Sequence, residues 1–105
     1  MAKKAIPKPK SVSIIGRRWF NRGPGNTYHS VKAVVDGEVK AAVDFAYGYG
    51  DQYLETGWTA LEKAGAVPVR PRNERGNTPA VWAWCEEQGI ALHYEAADVS
   101  RRKDL

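Results

Sequence analysis

Residues 39–65, VKAAVDFAYGYGDQYLETGWTALEKAG, constrain this chain more than any other stretch. A period of two comes first: Val39, Ala41, Val43, Phe45 and Tyr47 alternate with Lys40, Ala42, Asp44 and Ala46. That spacing predicts a strand with the larger apolar side chains on one face. A Tyr/Gly turn follows, and then the period changes. Leu54, Trp58 and Leu61 recur at i, i+4 and i+7, flanked by Tyr53, Gly57, Ala60 and Ala64. Gln52, Glu55, Thr56, Thr59, Glu62 and Lys63 fall on the other side, as expected of a helix with one buried stripe. Gly57 on that stripe predicts close approach to a sheet, and Gly65 sits where a left-handed cap ends a helix. A strand and a helix so near in sequence must share a core.

The remaining elements assemble around this unit. SVSIIGRRWF, residues 11–20, reads as a first strand with Val12, Ile14 and Phe20 on one face and Ile15 and Trp19 on the other. NRGPGN supplies turn residues, and a second strand runs from about Thr27 to Val35. Asp36-Gly37 is a two-residue hairpin signal joining it to the third strand. After Gly65 a Pro- and Arg-rich connection of about a dozen residues leads to a second helix. Asn77 or Thr78 is its expected N-cap, with Pro79 at the first helical position and Gly89 as its end. Val81, Trp84, Cys85 and Gln88 share a face of that helix. IALHYEA then alternates as a fourth strand. The expected fold is α+β, in the order β-β-β-α-α-β, over residues 11–99. Basic tails flank it: a disordered one at 1–10 and a short one at 100–105.

Length and charge narrow the classes. The chain has 105 residues, enough for one domain, and its single cysteine allows no internal disulfide, which fits a cytoplasmic setting. No apolar run reaches membrane-spanning length, and MAKKAIPKPK lacks the apolar stretch of a secretory signal. The net charge is +4, but it resides in the two tails and in RPRNER at 70–75. Residues 11–69 balance to zero and 76–100 are acidic. A high pI alone therefore does not make the body a nucleic-acid binder.

Two clusters can carry recognition. Arg17, Arg18 and Trp19, with Asn26, Tyr28 and His29, are brought near one another by a hairpin of the first two strands. Arginine and aromatic groups on a sheet face suit nucleic-acid or protein surfaces. Tyr47 and Tyr49 flank glycines ahead of a helix N-terminus, where rings stack on bases or sugars and free N–H groups suit an anion. The same residues also serve as an ordinary turn capped by Asp51. Arg70, Arg72 and Arg75 add a basic loop. Catalysis finds little support. Cys85 lies in a Trp-flanked helix, and His29 and His93 have no ligand spacing around them, so no metal or other cofactor is expected. Asp51 and Glu55 are ordinary first-turn acids, and Asp44 faces away from the apolar set.

The stretches RRWF, GNTYHSV and FAYGYGDQYLETG together resemble a group of small proteins encoded by bacteriophages and related mobile elements. The resemblance covers roughly residues 14–61. It implies a small accessory protein in a bacterial host cytoplasm and carries over no functional residues. Three strands followed by a helix are also similar in element order to some domains that read DNA through a sheet, an analogy of order alone. The expectation is thus a non-enzymatic protein that binds nucleic acid through its Arg/aromatic sheet face, basic loop and tails. The alternative is a module that binds or inhibits a bacterial host protein. A homodimer on the sheet face is compatible with both.

Overall fold

The computed structural model describes residues 8–105. One four-stranded sheet has the order β3-β2-β1-β4. Its strands are β1 (Ser11–Asn21), β2 (Asn26–Val35), β3 (Glu38–Tyr47) and β4 (Ala91–Val99). β1 pairs antiparallel with β2, and β2 with β3. β4 lies parallel to β1, with Ser11 opposite Ala91 and Trp19 opposite Val99. Two helices, α1 (Gln52–Lys63) and α2 (Val81–Gln88), occupy the connection that carries the chain from one sheet edge to the other. This is the expected α+β order, with a mixed sheet.

Asp36 and Gly37 take φ of 48° and 88°, the pair of positive values that a two-residue hairpin requires. The Asp36 carboxylate has a second role. Its Oδ1 accepts from the main-chain N–H groups of Lys10 and Ser11 at 3.0 and 2.9 Å. The basic tail expected at 1–10 lies largely outside the described residues. Within them, Pro9 is buried and Lys8 Nζ donates to the Gln88 carbonyl at 2.6 Å, so its last residues are held against the fold.

α1 buries Tyr53, Leu54, Gly57, Trp58 and Leu61, the stripe that its periodicity predicts. They pack on Val12 and Ile14 of β1 and on Val31, Ala33 and Val35 of β2, joined by Val67, Val81, Cys85 and Ile90. Gly57 allows the approach. A Cβ there would lie 2.8 Å from Ile14 Cγ2 and 3.0 Å from Val31 Cγ2. α2 starts two residues later than expected. Ala80 is its N-cap, and neither Asn77 nor Thr78 caps it. Asn73 instead uses its side-chain oxygen to accept from the N–H groups of Arg75 and Asn77 at 2.9 and 3.0 Å, which ties residues 73–77 into a closed turn. Gly89, with φ of 71°, ends the helix.

Two expectations fail, each for a local reason. β3 does not keep one apolar face. Register shifts against β2 between His29 and Val31 and between Ala33 and Val34 reset the alternation. Ala41 and Val43 turn to the core, whereas Val39, Phe45 and Tyr47 are 62%, 42% and 64% exposed. Residues 100–105 do not trail away as a tail. They fold back across the sheet and include a short 3-10 turn, Arg102–Asp104.

Candidate nucleic-acid interface

The helices cover one face of the sheet and leave the other open. Strand alternation and the β1–β2 register decide which side chains reach the open face. Val12, Ile14 and Gly16 point to α1, so Ile15, Arg17 and Trp19 point away. Their partners on β2 are Lys32, Ser30 and Tyr28. The shift in β3 brings Phe45 and Tyr47 to the same side.

An aromatic row results. The Trp19 and Tyr28 rings stack with centroids 5.9 Å apart and planes 26° from parallel. Tyr28 and Phe45 stack at 4.7 Å and 18°. Tyr47 meets Tyr28 edge-on at 5.6 Å. Three adjacent strands thus hold Trp19, Tyr28 and Phe45 in one line. Such pairs contribute about 0.5–1.5 kcal/mol beyond their burial, which keeps the rings in place. Arg17, exposed and next to Trp19 on this face, supplies a cation beside the row, and Lys32, also exposed, lies two same-face positions further along β2 from Tyr28. The Arg102 guanidinium lies 4.6 Å from the Phe45 centroid. Arg17 Nη1 donates to the Asp104 carbonyl at 3.1 Å. Tyr28 is sandwiched within the row, and the outward ring faces at its two ends, Trp19 and Phe45, with cations alongside, can stack bases and meet phosphates.

The candidate residues separate by face. Arg17, Trp19 and Tyr28 come together as expected, and Tyr47 joins them. Arg18 and His29 are directly opposed in register but face the helix layer. Arg18 Nε donates to Asp98 Oδ1 at 2.9 Å and its Nη1 to the Gly50 carbonyl at 3.1 Å. His29 is fully buried and offers nothing to a ligand. Its Nδ1–H donates to the Gly48 carbonyl at 3.1 Å, and its Nε2 is hydrogen-bonded with the Thr56 hydroxyl at 2.8 Å. It therefore locks the β3–α1 turn onto α1. Asn26 pairs with Asn21 at the end of the first hairpin, beyond the ring row.

Arg70 leaves the set altogether. It is 4% exposed. Its guanidinium donates to Glu62 Oε2 at 3.2 Å, to Glu55 Oε2 at 3.0 Å and to the Pro79 carbonyl at 2.9 Å. Those bonds fasten the long connection to α1 and to the start of α2. Arg72 and Arg75 are exposed on that connection, on the helix side, away from the aromatic row.

Tyr49, 77% exposed, belongs to a different feature. A cleft of about 560 Å³ opens between the two helix N-termini and β4, lined by Tyr47, Tyr49, Asp51, Glu55, Trp82 and Tyr94. Asp51 makes no side-chain capping bond to α1. Cys85 is buried, and burial pushes its thiol up to about 11 against the opposing pull of the Arg70 charge. Among the described residues no three His, Cys, Asp or Glu side chains gather in a metal-holding group. No described helix is long and apolar enough to cross a membrane.

Phe45, Lys32 and Arg102 were not among the sequence candidates. Phe45 shared its period with core residues, and only the register shift separates them. Nothing local marks Arg102, because its partner ring is 57 residues away in sequence.

No family model, curated protein or solved structure matches this chain.

Proposed function

We propose that this chain binds single-stranded nucleic acid through the open sheet face, in the accessory role that its phage-like stretches imply. The observation that carries the reading is the stacked line of Trp19, Tyr28 and Phe45 on three neighbouring strands, flanked by Arg17, with Lys32 further along β2. Bases stack on such rings at about 1–3 kcal/mol each without regard to sequence. Duplex binding is the weaker variant, because base faces are closed to rings within a duplex. The test is fluorescence anisotropy with labelled dT12 and a matching duplex. Tyr28→Ala, which breaks the row and gives up three ring contacts, should lower the urea midpoint and, read where the variant is folded, weaken dT12 binding about tenfold or more. Equal affinity of that variant and the parent would refute the reading.

A second reading, a protein-interaction module directed at a host protein, is supported by the aromatic cleft on the other face. Tyr49 and Trp82 there are 77% and 56% exposed, beside Asp51 and Glu55. Carboxylates disfavour phosphate at that site. Binding of a protein there would be tolerant of salt and indifferent to Tyr28→Ala.

A further inference from the structure

We propose that residues 100–105 form a displaceable strap, which covers the aromatic face in the free protein and clamps nucleic-acid phosphates once displaced. The inference rests on the nucleic-acid reading above.

β4 ends at Val99 beside Trp19, and the chain then turns over the open face. Three contacts hold it there. The Asp104 carbonyl accepts from Arg17. The Arg102 guanidinium lies over Phe45. Leu105, half-buried, forms one wall of a groove of about 360 Å³ that Ile15, Val34, Val39 and Ala42 also line. The strap therefore occupies both elements a ligand would use. It covers the ring at one end of the stacked row, and it takes up a donor of the cation beside that row.

The hold is weak by construction. The main-chain bonds recorded for the strap run within it, from Asp104 N to the Arg101 carbonyl and from Leu105 N to the Arg102 carbonyl. Arg101, Arg102 and Lys103 are exposed, and only Asp104 and Leu105 are half-buried. A segment with few buried contacts and no ladder opens locally without global unfolding. Its composition then gives release a second effect. The freed strap carries three cations within six residues, on a tether that starts at the end of the aromatic row. A bound strand would exchange the Arg102–Phe45 contact for base stacking and gain three phosphate partners.

Leu105→Ser tests the cover, because it removes the anchor while keeping every charge and leaving the core untouched. Labelled dT12 is titrated against the parent, Leu105→Ser, and the triple variant Arg101→Gln, Arg102→Gln, Lys103→Gln, each across a salt series. Brief trypsin treatment of the same proteins reads strap opening. Leu105→Ser should be cut sooner at residues 101–103 and should bind about three- to tenfold tighter, the gain expected when a mostly closed site is held open. The triple variant should lower the salt slope by about 2, the value for three single-strand phosphate contacts. Unchanged or weaker binding by Leu105→Ser overturns the cover, and an unchanged salt slope overturns the clamp. Equal trypsin cleavage of parent and Leu105→Ser overturns the strap whatever the oligonucleotide does. If the strap opens but no protein binds dT12, the nucleic-acid reading falls, and the strap's proposed ligand with it.

Discussion

Arg70 Nε donates to Glu62 Oε2 at 3.2 Å, and the same oxygen accepts the Arg70 main-chain N–H at 2.8 Å. One carboxylate thus fixes both the backbone and the side chain of a residue beyond the end of its own helix. The pair is largely withdrawn from water, with side-chain exposures of 3% and 12%. Removing one partner of a buried pair leaves the other charge uncompensated. Arg70→Ala should cost about 3–5 kcal/mol in a urea melt and speed tryptic cleavage at Arg72 and Arg75. Arg70→Lys should recover little, since an ammonium cannot reproduce the guanidinium fork. At temperatures where the variant is folded, dT12 affinity should match the parent.

Gly57→Ala sets two effects against each other. Alanine gains about 1 kcal/mol of helix propensity. Its methyl group, however, would lie 2.8 Å from Ile14 Cγ2, a short β-branched side chain fixed on a central strand. Overpacking of this kind costs about 1–3 kcal/mol. The urea midpoint should fall, and a rise would show that α1 can lift off the sheet without loss.

The Cys85 thiol is raised from 9.0 to about 11 because burial disfavours the thiolate. A raised folded value means that the stabilisation is complete below pH 9 and is lost as pH climbs from there through 11. Urea midpoints measured across that window should fall more steeply for the parent than for Cys85→Ala. At pH 8 the folded protein should resist a thiol reagent, and unfolding in urea should restore the reaction.

Arg17 and Arg18 are neighbours in sequence on opposite faces. Arg17→Ala should weaken dT12 binding and lower its salt dependence at constant stability. Arg18→Ala should leave the binding of folded protein unchanged. It removes the bonds to Asp98 and Gly50, so stability should drop by about 1–2 kcal/mol. Equal effects of the two variants on binding would mean that the open face is not the interface.

Much of this arrangement is legible in the chain itself. Trp58 and Leu61 repeat at helical spacing, Asp36-Gly37 marks its hairpin, and the first three strands follow in order. Those signals are local, and local patterns survive folding. What escapes depends on distant partners. Phe45 keeps the period of Val43, yet a shift in how β3 meets β2 turns it to the opposite face. His29 looks like a surface residue beside Tyr28, and only the arrival of Thr56, 27 residues on, makes it a buried linchpin. Arg70 reads as one of three loop cations until the Glu62 and Glu55 carboxylates are placed around it. In each case the deciding group comes from another element.

The pairing of the first strand with the last shapes how the chain is made. β1 finds β2 as soon as the first hairpin emerges, but its other side waits for β4, about 80 residues later. Until then a nascent chain carrying the meander and α1 presents the main-chain N–H and C=O groups on the outer side of β1 as an unpaired margin. Such margins recruit other chains. The arrival of β4 is therefore also the step that closes this margin, and a ribosome stalled before residue 91 would leave it open.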